Sequence, residues 1–195
     1  PQALRTRAYW ILAASTATFS MTITGITFHI VQIFLDVGLT EGDAALMFSA
    51  MAVSMAASRF VSGLAVDRWR LNLLLAGSTL GMCLGLLILV KMDSAWYGQL
   101  FGLVTGASQG VMLAVGATVW VRYYGRANLG KIRGSLATIG VASSSIGPFI
   151  MGYAHDLFGG YQEALWLFLA LYIPQIITSL WATPPDSPQS TRATG

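Results

Sequence analysis

The sequence predicts an all-α membrane protein with six transmembrane helices, and three observations lead to this fold class. Of the 195 residues, 55% are hydrophobic and only 10% are charged, whereas a soluble domain carries about 25% charged residues. Six long stretches that are almost free of charge follow one another along the chain. Glycine, which is more frequent in membrane helices than in soluble ones, occurs 21 times. The composition excludes a soluble domain and a disordered chain, and the single Cys83 excludes a disulfide scaffold.

Each stretch is long enough to cross a bilayer, because a spanning helix needs about 20 mostly apolar residues. The predicted spans are residues 8–34, 44–66, 71–91, 95–121, 134–155 and 163–182. Together they form one transmembrane domain over residues 1–182. The Pro- and Ser-rich residues 183–195 are predicted to be a disordered cytoplasmic tail. Pro1 stands where an initiating methionine is expected, so we expect the chain to be a fragment.

Basic and acidic residues fall on opposite sides of these spans. Nine basic residues flank one side: Arg5, Arg7, Arg68, Arg70, Arg122, Arg126, Lys131, Arg133 and Arg192. The other side has Lys91 with six acidic residues: Asp36, Glu41, Asp43, Asp93, Asp156 and Glu163. Because Lys and Arg accumulate in cytoplasmic loops, both termini are predicted to be cytoplasmic, in a plasma or inner membrane. No nucleic-acid-binding motif accompanies these charges, which excludes a nucleic-acid partner.

Small residues recur every fourth position in three spans. The rows are Ser54, Ser58 and Ser62 in the second span, Gly77, Gly81 and Gly85 in the third, and Gly98, Gly102, Gly106 and Gly110 in the fourth. This spacing places each row on one helix face, where two backbones can approach closely. Two interpretations are open: the rows serve helix packing alone, or they are smooth faces along which helices slide.

The fifth span contains Gly147-Pro148 near its middle. Proline removes one backbone hydrogen bond and crowds the preceding turn, so a kink is predicted there. In a membrane such a break is tolerated where neighbouring helices or a water-filled cavity satisfy the freed carbonyl. A kinked helix beside a cavity and a simple packing distortion are the two alternatives.

The loop after the second span reads Gly63-Leu-Ala-Val-Asp67-Arg68-Trp69-Arg70. It resembles the G-x-x-x-D-R-x-G-R loop signature of the major facilitator superfamily, with Arg70 in the place of the usual second glycine. Independently of the family, Asp67 can place a carboxylate against a neighbouring helix N-terminus. A generic basic signal at the end of a span is the alternative interpretation.

Further matches follow in the order that this family requires. Residues 123–134 resemble the cytoplasmic loop before the eleventh helix, and Gly147-Pro148 resembles that helix. His29 with residues 36–40 resembles the seventh helix of the monocarboxylate- and oxalate-transporter-like branch. The resemblance covers about residues 5–182. It implies helices seven to twelve, an inverted three-plus-three repeat that is half of a twelve-helix fold, with a missing amino-terminal six-helix half.

Arg59 is the one charged residue inside a predicted span. An Arg at a helix centre costs roughly 2.5 to 3.5 kcal/mol on insertion scales, so we expect its side chain to face the protein interior or water. In the monocarboxylate-like branch, an Arg four residues before the motif glycine is associated with the substrate carboxylate, and Arg59 precedes Gly63 by four. The resemblance therefore implies substrate binding by Arg59. An ion pair with the missing half and snorkelling to the interface are the alternatives.

His29 lies in the outer third of the first span. Histidine titrates near neutral pH, so proton coupling or a hydrogen bond to substrate is one interpretation, and a structural hydrogen-bonded histidine is the other. His29 and His155 are isolated from each other in sequence, and neither an H-E-x-x-H pattern nor a G-x-S-G segment occurs. The sequence therefore predicts no metal site, no cofactor and no catalytic residue.

These observations together predict a secondary active transporter that works by alternating access. The resemblance and Arg59 point to a small organic anion, such as a monocarboxylate or dicarboxylate, moved with protons or exchanged against another anion. The predicted partners are this substrate, the lipid bilayer and the missing six-helix half. A non-transporting, transporter-like receptor and a six-span intramembrane enzyme are the alternatives.

Overall fold

A computed structural model describes residues 6–66, 68–124 and 129–181, and every regular element in these ranges is an α-helix. The helices are α1 (Arg7–Asp36), α2 (Glu41–Ala65), α3 (Leu71–Val90), α4 (Ala95–Tyr124), α5 (Leu129–Phe158) and α6 (Gln162–Leu180). All six are long and apolar enough to cross a membrane. The predicted all-α fold with six helices is confirmed. Asp67 and the predicted tail at 183–195 lie outside the described residues.

The turn between α1 and α2 shows how local chemistry ends one helix and begins the next. Gly38 adopts φ +78° just after α1, a conformation that side chains disfavour. Thr40 then caps α2: its hydroxyl accepts a hydrogen bond from the Asp43 backbone N–H at 3.2 Å. In return the Thr40 backbone N–H donates to the Asp43 carboxylate at 2.9 Å. This capping box starts α2 immediately after the turn.

Two hydrophobic clusters, one at each end of the bundle, show that successive helices run in opposite directions. The first joins Tyr9 near the start of α1 to Trp120 near the end of α4. The second joins Phe34 near the end of α1 to Phe101 near the start of α4. We call one end of the bundle the basic end, defined by Arg7, Arg68, Arg70, Arg122, Lys131 and Arg133. The opposite, acidic end is defined by Asp36, Glu41, Asp43, Asp93, Asp156 and Glu163.

The helices pair in the pattern expected of an inverted repeat. The helix α2 packs mainly against α4, α1 packs against α5, and α3 lies against both α4 and α6. In a three-plus-three repeat, α1, α2 and α3 correspond to α4, α5 and α6. The α2–α4 pair then corresponds to the α5–α1 pair, and α3 and α6, which pair with each other, are equivalent. The three-plus-three arrangement implied by the resemblance is therefore present.

The glycine row of α4 is a packing surface against α2. A side chain at three of its members would collide with backbone carbonyls on consecutive turns of α2. These pairs are Gly102 with Met47, Gly106 with Met51 and Gly110 with Met55. In α3, by contrast, Gly81 and Gly85 face side chains of α4, mainly those of Ser108 and Thr105. The glycine row of α4 thus permits a close backbone approach to α2.

Candidate functional site

A groove of about 710 Å³ lies between α1, α4 and α5. It extends from the basic end to the middle of α1 and α5. The described part of the chain contributes these residues to its lining: Thr16, Phe19, Ser20, Ile23, Thr24, Met112, Leu113, Gly116, Ala117, Trp120, Arg133, Leu136, Ala137, Gly140, Val141 and Ser144. A volume of this size accommodates a small organic molecule.

The groove has a mostly apolar wall with a stripe of hydroxyl groups. Thr16, Ser20 and Thr24 are four residues apart, so they share one face of α1, and all three line the groove. Ser144 contributes a further hydroxyl from α5. Such groups can orient a polar solute in an apolar cleft by hydrogen bonding. The spacing of the three α1 residues was visible in the sequence, but their shared cavity was not.

Among the described residues that line the groove, Arg133 is the only charged one. Its side chain reaches from the first turns of α5 to α4, where Nη2 donates to the Ala117 carbonyl at 3.2 Å. From the sequence, Arg133 was assigned to the charge bias that sets orientation and to the loop resemblance at residues 123–134, but not to a cavity. In the structure it also places a guanidinium at the mouth of the groove, where an anion would be attracted.

Arg59 is not among the residues that line the groove, but its backbone nitrogen lies beside Gly110 of α4. Met51, Met55 and Arg59 form one stripe along α2, because they are four residues apart. The amide of Gln109 on α4 donates to the Met51 sulfur at 3.3 Å. Gln109 lies on the same face of α4 as Leu113, Gly116 and Trp120, and these three residues line the groove. Arg59 therefore lies along the edge of α2 that borders this face of α4.

The Arg59 side chain is exposed. In the part of the chain that the structure describes, it has no hydrogen-bond or ion-pair partner. All acidic residues in the described helices lie within the first or last turns, at the acidic end. A guanidinium with no ion-pair partner among the described residues needs water, a solute or another protein segment beside it in a membrane.

His29 is bonded within the bundle through both ring nitrogens. Its Nε2 lies 3.2 Å from the Pro148 carbonyl oxygen on α5. A carbonyl can only accept, so Nε2 carries the proton. Its Nδ1 lies 3.2 Å from the Tyr161 hydroxyl. In the neutral ring Nδ1 is then the acceptor, and the phenol donates to it.

Tyr161 connects His29 to the acidic end. Its ring centroid lies 5.2 Å from that of His29 and 4.8 Å from that of His155. Tyr161 and His155 also line a crevice of about 580 Å³ at that end. Burial raises the pKa of the Tyr161 phenol, and the charges of Asp36 and Asp156 raise it further. The phenol therefore stays protonated and remains a donor to His29 at neutral pH.

The backbones of α1 and α5 are in contact one helical turn before His29. A side chain at Gly147 would collide with the Met21 carbonyl oxygen, and one at Gly25 would lie 2.9 Å from the Gly147 carbonyl carbon. The helix α5 continues through Pro148 without interruption. Gly147 is thus the point of closest approach between the two helices, and the predicted kink at Pro148 stays a prediction.

The loop motif is only partly described. Arg68 is exposed, and a Cβ at Gly63 would meet nothing within 4 Å, so the described neighbours do not require glycine there. Asp67, the acidic member of the motif, is outside the described residues. Among the residues that are described, no group of three His, Cys, Asp or Glu side chains could hold a metal ion.

Comparison with known proteins agrees with this architecture. The family model of the Major Facilitator Superfamily matches residues 10–195, which is nearly the whole chain. No curated protein matched the sequence. The six membrane-spanning helices and their inverted repeat fit half of the fold of that family. The chain therefore belongs to the major facilitator superfamily, a family of integral, multi-pass membrane transporters.

Proposed function

We propose that this chain is the carboxyl-terminal half of a secondary transporter for small organic anions, such as monocarboxylates or dicarboxylates. The observation that carries the proposal is Arg59, a guanidinium inside a membrane span with no ion-pair partner among the described residues. Arg133 adds a second guanidinium in the neighbouring groove. An arginine offers a planar, permanently charged fork that matches a carboxylate. Two such groups beside a cavity favour an anion over a neutral or cationic solute.

The proposed substrate path runs along the face formed by α2, α4 and the groove. The helices α2 and α5 bury the smallest shares of their spans within the bundle, 11% and 22%, whereas α3 buries 56%. The two are equivalent positions in the inverted repeat. We expect an amino-terminal half to cover them, with the substrate held between the two halves. Both termini are proposed to be cytoplasmic, because the basic end carries nearly all the positive charge.

His29 is the proposed site of proton coupling. A proton added at Nδ1 would turn this nitrogen from an acceptor into a donor, facing a phenol that already donates to it. Tyr161 would have to rotate its hydrogen away or leave. Protonation would thus alter the link between α1 and the segment that joins α5 to α6. The Pro148 carbonyl keeps its bond from Nε2 in either state. Direct contact between His29 and substrate remains the alternative role.

The test compares a carboxylate with a neutral molecule of the same shape. The full-length protein, expressed with its flanking coding sequence, is reconstituted in proteoliposomes, and uptake of labelled lactate and oxalate is measured beside their amides. We expect saturable uptake of at least one acid and none of its amide. Equal uptake of acid and amide would contradict anion selectivity. Binding of the acid without uptake would favour the receptor alternative.

A further inference from the structure

A second pocket, of about 450 Å³, lies at the basic end on the opposite side of α4 from the α1 and α5 groove. The loop between α2 and α3 contributes Arg68, Trp69 and Arg70, and the last turn of α4 contributes Arg122 and Tyr123. None of these residues lines the groove described above. The pocket thus combines three guanidinium groups with two aromatic side chains.

The three arginines differ in how they are held. Nη1 of Arg122 donates to the Val66 carbonyl at 3.0 Å, which fixes this side chain against the end of α2. Arg68 and Arg70 are exposed, and neither has a hydrogen-bond or ion-pair partner among the described side chains. Their charges face an opening rather than a carboxylate of the described chain. An anion held there would gain charge-assisted hydrogen bonds.

The start of α3 adds to this preference for an anion. Arg70 is the N-cap residue, and its side chain does not cap the helix. Asn72 also lines the pocket, but its amide donates to the Leu180 carbonyl at 3.0 Å and is not a cap. Among the described side chains none caps the first turn of α3, so its N–H groups lie at the same pocket as the guanidinium groups, and this end of a helix favours negative charge.

The position of the pocket indicates a lipid rather than a soluble anion. Trp69 is 62% exposed, and Trp and Tyr concentrate where a helix leaves the membrane, at the depth of the headgroups. Leu64 in the last turn of α2 and Leu73 in the first turn of α3, at the same end of the bundle, are both exposed. A phospholipid can place its phosphate against the arginines and its acyl chains over these leucines.

We propose that the pocket formed by Arg68, Trp69, Arg70, Arg122 and Tyr123 binds the headgroup phosphate of an anionic phospholipid, such as phosphatidylglycerol. Basic pockets between helix ends on the cytoplasmic side of a membrane suit such headgroups. A zwitterionic lipid fits less well, because its choline cation would lie among three guanidinium groups. The site is separate from the proposed substrate path, so it does not depend on the identity of the substrate.

The experiment measures lipid binding to the full-length protein in a neutral detergent by native mass spectrometry. Short-chain phosphatidylglycerol is titrated, with short-chain phosphatidylcholine and soluble glycerol phosphate as the comparison ligands. The test variant is Arg68→Gln with Arg70→Gln. The matched control is Arg7→Gln with Lys131→Gln, which removes the same charge from exposed positions at the same end of the bundle.

We expect the test variant to bind phosphatidylglycerol on the order of tenfold more weakly, from two lost basic contacts, and the control to change less than twofold. An equal loss in both variants would overturn the proposal, because it would indicate only general surface charge. Equal binding of phosphatidylcholine, or of glycerol phosphate, would overturn it as well. If the double variant does not fold, the affinity of each single variant for phosphatidylglycerol should fall by about a third of a log unit or more. Unchanged affinity in both single variants would overturn the proposal.

Discussion

His29 on α1 and Pro148 on α5 are joined across the bundle by a hydrogen bond of 3.2 Å from the imidazole Nε2 to the proline carbonyl oxygen. The contact lies one turn from the place where the two backbones meet, at Gly25 and Gly147. The same imidazole accepts from the Tyr161 hydroxyl through its other nitrogen. One titratable side chain thus connects the α1–α5 crossing to the turn before α6.

The bond between His29 and Tyr161 should be measurable as a coupling energy. His29→Phe and Tyr161→Phe each remove it while keeping an aromatic ring in place. In a double-mutant cycle on the free energy of unfolding in mixed micelles, we expect a coupling of about 0.5 to 1.5 kcal/mol, the usual net value of one hydrogen bond.

His155→Phe is the matched control for this cycle. His155 stacks on the same Tyr161 ring at 4.8 Å but makes no hydrogen bond to it among the described contacts. Its coupling to Tyr161→Phe should be smaller than that of His29→Phe. Strict additivity of His29→Phe and Tyr161→Phe would show that the bond does not contribute to stability.

The closest approach of α1 and α5 predicts that Gly147→Ala is strongly destabilising. The new methyl group would collide with the backbone carbonyl of Met21, which cannot move as a flexible side chain can. Overpacking of this kind costs about 1 to 3 kcal/mol. In the same helix, a Cβ at Gly134 would meet nothing within 4 Å. Gly134→Ala should therefore be neutral or slightly stabilising, because alanine is the better helix former.

Thermal unfolding of both glycine variants in detergent, relative to the unsubstituted protein, checks this prediction. We expect a lower melting temperature for Gly147→Ala only. Equal melting temperatures for the two variants would mean that the helices can separate at Gly147 at no cost, and the crossing would then not be a fixed contact.

The proposed orientation can be tested with single cysteines. Cys83 is only 7% exposed, so this chain's own thiol should react poorly with a membrane-impermeant maleimide. Lys131 and Gln162 are exposed at the basic and acidic ends. In intact cells Gln162→Cys should be labelled, and Lys131→Cys should be labelled only after permeabilisation. The opposite result, or labelling of both from outside, would overturn the orientation.

The helices could be predicted from sequence because the bilayer constrains them so strongly. Uninterrupted apolar runs must form helices where no water can satisfy the backbone, and the bounds then follow from charged residues and caps such as Thr40. The glycine row of α4 likewise indicated a close helix contact. The glycine row did not identify the partner helix, because any helix with an accessible backbone face could pack against it.

The site was harder to predict because its parts are distant in sequence. Arg59 was visible as an isolated charge. The partners of His29, Pro148 and Tyr161, lie 119 and 132 residues away, and no local pattern connects them. The groove required the packing of α1 with α4 and α5, so the role of Thr16, Ser20 and Thr24 emerged only in three dimensions.

Arg59 is proposed to bind a carboxylate of the substrate, and acid-over-amide selectivity in Arg59 variants tests this contact without an intermediate step. Uptake by the full-length protein is measured in proteoliposomes for Arg59→Lys and Arg59→Ala, with Arg7→Lys as an exposed control. Arg59→Lys keeps the charge but loses the bidentate fork, so its apparent KM for the acid should rise about tenfold. Arg59→Ala should lose the preference for acid over amide, and Arg7→Lys should match the unsubstituted protein. Uptake by Arg59→Ala with the original apparent affinity and selectivity would contradict the claim.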